Sequence, residues 1–208
     1  MELTENSCRF PFGEEGKILL SEMNIHHAEI TAHTLNALAA QNGDTILDIG
    51  CGGGRALKLV SQQNPSGKLY GVDYSETSVA CSTEENKEDI ASGKMQILHG
   101  SVSELPFTDK MFDKVYSIES YFFWPDLQND LKEIFRVLKP SGKVCISEHI
   151  MNLEEYDEET QLEIIKLEMH TVSSEEFTKL LKNAGFIHIK AHIAKNGELL
   201  CMEAQKPE

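Results

Sequence analysis

The amino-acid sequence predicts an α/β fold: a largely parallel sheet that closes with an antiparallel hairpin. Three observations predict it. Short β-branched runs alternate with helical patterns along the chain, the signature of strand–helix–strand units. A glycine cluster, Gly50-Cys51-Gly52-Gly53-Gly54, stands between the first such strand and the helix behind it. Near the end, Phe186–Ile193 alternates apolar and polar residues, as Leu199–Ala204 does more loosely, and Asn196-Gly197 between them is a hairpin signal.

Each element follows from its own pattern. The first strand is Thr45–Ile49, ending at the glycines, and the second is Lys68–Val72, ending at Asp73. The third is Met95–Leu98 and the fourth Phe112–Ile118; the fifth, Lys143–Ser147, follows the turn Lys139-Pro140-Ser141-Gly142. A helix from about Asn24 to Ala40 precedes the first strand and stops at Asn42-Gly43; another is expected over Arg55–Ser61. The stretch 75–91 is helical but polar, a cover for the sheet with few apolar contacts. From Asp126 to Leu138, an N-terminal capping carboxylate precedes Leu127, Leu131, Ile134, Phe135 and Leu138 at helical spacing, and Pro140 forbids continuation. A last helix starts at Ser173 or Ser174, where Ser173 and Glu176 suit a capping box, and ends before Gly185.

Composition narrows the partners. The 208 residues hold 19 Lys and Arg against 34 Asp and Glu, a formal charge of −15. Such a polyanion repels phosphate backbones and anionic lipid, so neither nucleic acid nor a membrane is the expected partner. The N-terminus is acidic with no apolar stretch behind it, and no run reaches the ~18 apolar residues of a membrane span. Five well-separated cysteines, odd in number and without a C-x-x-C pair, argue against a disulfide framework or a zinc site. No metal is expected, and a cytoplasmic location is.

The glycine loop carries the functional signal. Glycines after a strand and before a helix permit a sharp turn and let a ligand approach exposed backbone N–H groups. A dinucleotide fingerprint would need a third glycine where Arg55 stands. Gly50, Gly52 and Gly54 instead spell G-x-G-x-G, with Asp48 two residues ahead. Asp73, 23 residues after Gly50 at the end of the second strand, suits the two hydroxyls of a ribose.

These residues resemble the class I S-adenosylmethionine-dependent methyltransferases. Ile46–Gly54 matches the family's first motif and Gly71–Ser75 its second; Pro106-Phe107, Phe112-Asp113 and Phe135–Gly142 match later ones. The likeness covers roughly residues 40 to 205 and is closest to the small-molecule branch of ubiquinone- and menaquinone-biosynthesis-type enzymes. It implies a Rossmann-like, doubly wound, seven-stranded α/β sheet, mostly parallel, as a methyltransferase domain over 41–208, with residues 1–40 an N-terminal helical cap or lid. It implies S-adenosylmethionine as cofactor, with Asp48 near the methionine ammonium and the backbone of Gly50, Cys51 and Gly52 along methionine and ribose. Asp73 would hold the ribose hydroxyls and Tyr74 would flank the adenine. Where the family often has Gly-Asp, this chain reads Gly100-Ser101-Val102, leaving Ser101, the Val102 backbone and packing to hold the adenine. Glu119 and Ser120 would lie beside the reacting methyl.

The acceptor would sit beyond the carboxyl ends of the strands, against Glu119, Tyr121, Phe122, Phe123 and Trp124 on one side and Glu148, His149 and Met151 on the other. The aromatic run is either core beneath a loop or an apolar lid. Glu119 and His149 are candidates for a general base, or ordinary strand-end residues. His27 faces cofactor or acceptor if the N-terminal segment is a lid; Asn24 otherwise simply caps its helix. The acidic stretch 152–172 is a second candidate lid. The expected protein is a monomer or homodimer methylating a small molecule. The alternatives are a protein methyltransferase, a binding module that holds the cofactor without transfer, and a nicotinamide oxidoreductase.

Overall fold

The computed structural model describes residues 8–149, 158–167, 169–194 and 197–208. In chain order these build helices α1 (Gly13–His26) and α2 (Ala28–Leu38), strand β1 (Thr45–Ile49), α3 (Arg55–Gln63), β2 (Lys68–Asp73), α4 (Glu76–Glu85) and α5 (Lys87–Ala91). They continue with β3 (Met95–His99), β4 (Phe112–Ile118), α6 (Leu127–Val137), β5 (Leu138–His149), α7 (Glu158–Lys166), α8 (Ser174–Asn183), β6 (Ile187–Ala194) and β7 (Leu199–Gln205).

The strands form one sheet in the order β3-β2-β1-β4-β5-β7-β6. β1 to β5 are parallel, and β7 inserts antiparallel between β5 and β6. The chain winds outward from β1 on both sides, so the strand order reverses between β1 and β4. A crevice opens at such a switch point, beyond the carboxyl ends of the strands. The α/β sheet, its seven strands and its closing hairpin agree with the sequence. Asn196 of the expected turn lies outside the described residues.

Both sheet faces are covered, as a parallel sheet requires. Leu47, Ile49, Val115, Val144 and Ile146 pack on one face with Leu131 and Ile134 of α6 and Phe177 and Leu181 of α8. Ile46, Leu69, Tyr116 and Cys145 pack on the other with Leu35 and Leu38 of α2 and Leu57 and Val60 of α3. Asp126 caps α6 by accepting from the Asn129 N–H (3.1 Å), and Ser173 with Glu176 forms the capping box of α8.

Three boundaries differ from expectation. The helix expected over Asn24–Ala40 is two helices that meet at His27, with Asn24 inside α1 rather than at a cap. They dock on different surfaces: α1 buries little beyond Gly16 and Leu20, whereas α2 buries Ile30, Leu35 and Leu38. Ala39, in the left-handed region (φ 49°), ends α2 ahead of Asn42-Gly43. The helical stretch 75–91 breaks at Asn86, whose amide donates to the Gly54 and Ser82 carbonyls (both 3.0 Å). β5 starts at Leu138, because Leu138 pairs with Phe112 across a bulge and the expected turn survives only as a left-handed kink at Ser141 (φ 60°).

Candidate functional site

The first half of the site is backbone. The Gly50 and Cys51 N–H groups both donate to the Val72 carbonyl (2.9 and 3.2 Å), and the Gly52 N–H donates to Asp73 Oδ2 (2.8 Å). The tips of β1 and β2 are thereby tied together. Gly50 lies at φ 74°, and a Cβ there would stand 2.6 Å from the Ser120 Cβ. Gly54, at φ 79°, starts α3, and a Cβ there would stand 2.8 Å from the Ser82 Cα. Only glycine fits both the dihedral and the space.

Two carboxyls flank this loop. Asp73 also accepts from the Ser75 N–H through Oδ1 (2.9 Å). Burial nevertheless pushes its pKa up, against the lowering by the Ser75 and Gly52 donors. Asp48, only 3% exposed, interrupts an otherwise apolar strand. Burial pushes it up to about 8, with Asp73 adding to the rise and Tyr116 opposing it. Tyr116 is its register partner on β4, and the buried Tyr116 hydroxyl beside the Asp48 carboxyl is the group that opposes the rise.

The N-terminal segment runs over this crevice like a strap. Arg9 Nη1 donates to the Leu167 carbonyl (2.6 Å), the Phe10 ring meets Tyr74 edge-on (5.4 Å), and Ser75 Oγ donates to the Pro11 carbonyl (2.8 Å). In α1, Leu20 faces Gly52, and Asn24 covers Gly53 so closely that a Cβ on that glycine would stand 2.5 Å from its amide nitrogen. Asn24 thus belongs to the site for a reason no capping rule reveals.

The second half is built from side chains. Glu119, after β4, sits in the left-handed region at φ 54°, a conformation costing a non-glycine residue about 1–3 kcal/mol. There its N–H donates to the Ser147 carbonyl (2.9 Å), and its Oε1 accepts from the His149 backbone N–H (2.5 Å) and faces His149 Nδ1 (3.1 Å). The His27 ring lies 6.3 Å from that of His149, tilted 44°. Burial pushes the His27 imidazole below its ordinary value, against the pull of Glu119. Behind them the Tyr121 hydroxyl donates to Glu148 Oε2 (2.5 Å), and burial lifts Glu148 to about 7.

The residues singled out from sequence therefore separate into groups. Asp48, Gly50, Cys51, Gly52, Asp73 and Tyr74 gather at the tips of β1 and β2, Tyr74 being 64% exposed. Ser101 follows the Gly100 N–H, which donates to the Asp73 carbonyl (3.0 Å), and its hydroxyl accepts from the Ser103 N–H (3.2 Å). The Val102 side chain is in the core. Glu119, His149 and His27 converge at the tips of β4 and β5. Tyr121 and Trp124 are core residues, packed with Phe122, Leu127 and Phe177. The aromatic run is thus packing beneath a loop and not an open lid. Met151 and most of the first half of 152–172 lie outside the described residues.

Comparison with known proteins gives this geometry a family. Residues 47–146 match the model of the methyltransferase domain family. Over these residues the chain carries a methyltransferase domain. Over 122 residues the chain is 32% identical to a demethylmenaquinone methyltransferase of Oceanobacillus iheyensis, covering 58% of this chain and 51% of that one. A methyltransferase solved in complex with the Haloferax volcanii Trm112 methyltransferase activator superposes with a TM-score of 0.80 at 22% identity, over 91% of this chain and 94% of that one. A Haemonchus contortus phosphoethanolamine N-methyltransferase with S-adenosyl-L-methionine bound gives 0.76 at 18% identity, over 87% and 53%. At these identities the two structures establish the fold. The chain spans less than two thirds of the length of the curated relatives it matches. Among the described residues no helix is long and apolar enough to cross a membrane, and no group of three His, Cys, Asp or Glu side chains is placed to hold a metal ion.

Proposed function

We propose that the protein transfers a methyl group from S-adenosylmethionine to a small-molecule acceptor by in-line displacement. The observation that carries this reading is the joint placement of Asp48 and Asp73 about the glycine loop. Asp73 already gathers two backbone N–H groups and keeps lone pairs for ribose hydroxyls, each such charge-assisted bond being worth about 1.5–3 kcal/mol. Asp48, buried beside the Tyr116 hydroxyl, suits an ammonium group. The residues thus fit the cofactor. Gly50, Cys51 and Gly52 would follow its methionine and ribose, Tyr74 and Ser101 its adenine, and α1 would cover it through Leu20 and Asn24. When bound, it supplies a methyl group whose carbon is made electron-poor by the sulfonium sulfur; the chain contributes alignment and exclusion of water, for which proximity is worth up to about 7–11 kcal/mol.

A small acceptor is supported by the demethylmenaquinone and phosphoethanolamine relatives and by the −15 charge, which disfavours nucleic acid. The Trm112 complex supports one further arm of the test, transfer in the presence of such an activator. Titration calorimetry with S-adenosylmethionine, S-adenosylhomocysteine and NAD, on wild type and Asp73→Ala, tests the cofactor site. We expect both adenosyl ligands to bind and NAD not to, with Asp73→Ala losing at least tenfold in affinity. A smaller loss means that the ribose does not lie on Asp73.

A further inference from the structure

The arrangement at the tips of β4 and β5 does more than alignment asks. An acceptor that already presents a lone pair, such as a thioether or tertiary amine, needs only to be held in line with the methyl group. Yet here a glutamate is kept in a left-handed backbone conformation, and its carboxylate serves the backbone N–H and the ring of a single histidine. Backbone outliers of this kind persist only where surrounding structure holds them, and they cluster at functional sites. A carboxylate at Nδ1 keeps the proton on that nitrogen and makes Nε2 the basic one.

The location is also right for chemistry. Ser120, next to Glu119, packs on Gly50 and donates to the Ile49 carbonyl (3.2 Å). The glutamate therefore sits one residue from the cofactor loop on one side and in contact with His149 on the other. α1 spans the same distance, with Asn24 on Gly53 at one point and His27 beside His149 just past its end. Burial of His27 lowers its imidazole pKa, which disfavours a like charge next to His149.

Resting on the methyl-transfer reading above, we propose that the acceptor carries a proton on the atom that receives the methyl group, and that His149, oriented by Glu119, removes it. The substrate class is thus a hydroxyl, thiol or protonated amine rather than a thioether or tertiary amine. The acceptor X–H gives its proton to His149 Nε2. The lone pair of X forms the bond to the methyl carbon as the carbon–sulfur bond breaks. The electron pair of the breaking carbon–sulfur bond stays on sulfur, which leaves as a neutral thioether. His149 is the catalytic residue, and Glu119 is a positioning residue.

Two measurements test this on the full chain. The first is long-range 1H–15N spectroscopy of the imidazole nitrogens, with His149 assigned from the His149→Gln spectrum. We expect the Nδ1–H tautomer in wild type, its loss in Glu119→Ala, and its return in Glu119→Gln, which keeps an acceptor oxygen. An Nε2–H tautomer in wild type, or one indifferent to Glu119→Ala, overturns the proposal. The second is methyl transfer from S-adenosylmethionine to catechol, thiophenol and a primary amine, set against dimethyl sulfide and a tertiary amine. We expect product only from the first group, and a fall of at least 100-fold in kcat for His149→Gln, the usual weight of a general base, with KM for S-adenosylmethionine within threefold. Methylation of the proton-free acceptors, a His149→Gln rate within threefold of wild type, or no transfer to any proton-bearing compound by a chain that binds S-adenosylmethionine overturns it. If wild type fails to bind S-adenosylmethionine, the underlying reading falls first and this one with it.

Discussion

The two halves of the site are made of different material. At the tips of β1 and β2 the working atoms are backbone N–H groups, arranged by glycines and steadied by the Asp73 carboxyl. At the tips of β4 and β5 they are side chains: Glu119, His149 and His27, backed by Tyr121 and Glu148. The first half tolerates almost no added volume, since the loop packs against Ser120, Ser82 and Asn24. The second depends on hydrogen-bond direction rather than on space. On the proposed reading, the first half would hold the cofactor and the second would meet the acceptor.

The sharpest way to break this contrast is to compare two glycines with similar dihedrals. Gly50 (φ 74°) and Gly93 (φ 73°) both occupy the left-handed region, but a Cβ at Gly93 meets nothing within 4 Å. Alanine at either costs about 1–2 kcal/mol for the backbone. Gly50→Ala additionally drives a methyl into Ser120, shifting the loop on which the cofactor would lie. We expect Gly50→Ala to weaken S-adenosylmethionine binding by more than 100-fold and Gly93→Ala to leave it within twofold, by calorimetry, with urea unfolding checking that both variants fold. Equal effects would mean that volume at the loop is unimportant.

That contrast also explains what was legible in the sequence. The first half was, because Asp48 to Gly54 is a contiguous string whose strand–turn–helix context carries its own geometry, and Asp73 is placed by the next strand. In the second half, His27 and His149 are 122 positions apart and meet only once α2 lies on the sheet and β5 sits beside β4. No local pattern announces a left-handed Glu119, and a tyrosine in register with Asp48 is visible only from strand pairing. The start of the N-terminal helix is hidden from the sequence because α1 lacks a strong apolar stripe, and Asn24, a residue type favoured at helix starts, stands in its interior. The aromatic run Tyr121–Trp124 fell to packing, as buried rings beneath loops usually do.

A smaller effect, about tenfold, separates the halves by pH. Asp48 has an ordinary value of 3.8 and is raised to about 8 by burial. A carboxyl raised in the folded state stabilises the fold fully below about pH 4, and that contribution is lost as pH rises through 8; each unit is worth about 1.4 kcal/mol. A cationic ligand prefers the carboxylate, so its binding expels the Asp48 proton and strengthens as pH rises toward 8. We expect S-adenosylmethionine affinity to increase about tenfold between pH 6.5 and 8, with proton release seen in buffers of different ionisation enthalpy. In Asp48→Asn both the slope and the release should vanish. Glu148→Gln, on the acceptor side, should leave them untouched although Glu148 itself is raised to about 7. A slope that follows Glu148 would place the ammonium in the wrong half.

The smallest expected effect concerns the strap that crosses the first half and leads to the second. Phe10 holds it to Tyr74 through an edge-on ring contact at 5.4 Å, an interaction worth about 0.5–1.5 kcal/mol. Removing that energy speeds opening about two- to tenfold, the range those energies convert to at room temperature. The remaining ties, Ser75 to the Pro11 carbonyl and Arg9 to the Leu167 carbonyl, keep the strap in register. Phe10→Ala should therefore raise the dissociation rate of S-adenosylhomocysteine by that factor in stopped-flow competition and leave the His149 tautomer unchanged, because α1 past Leu20 remains docked on the glycine loop. If the tautomer shifts as well, strap and acceptor side move as one body. If the dissociation rate stays at the wild-type value, Tyr74 and its cover contribute nothing to retention, and the grip on the nucleoside rests on Asp73 and the glycines alone.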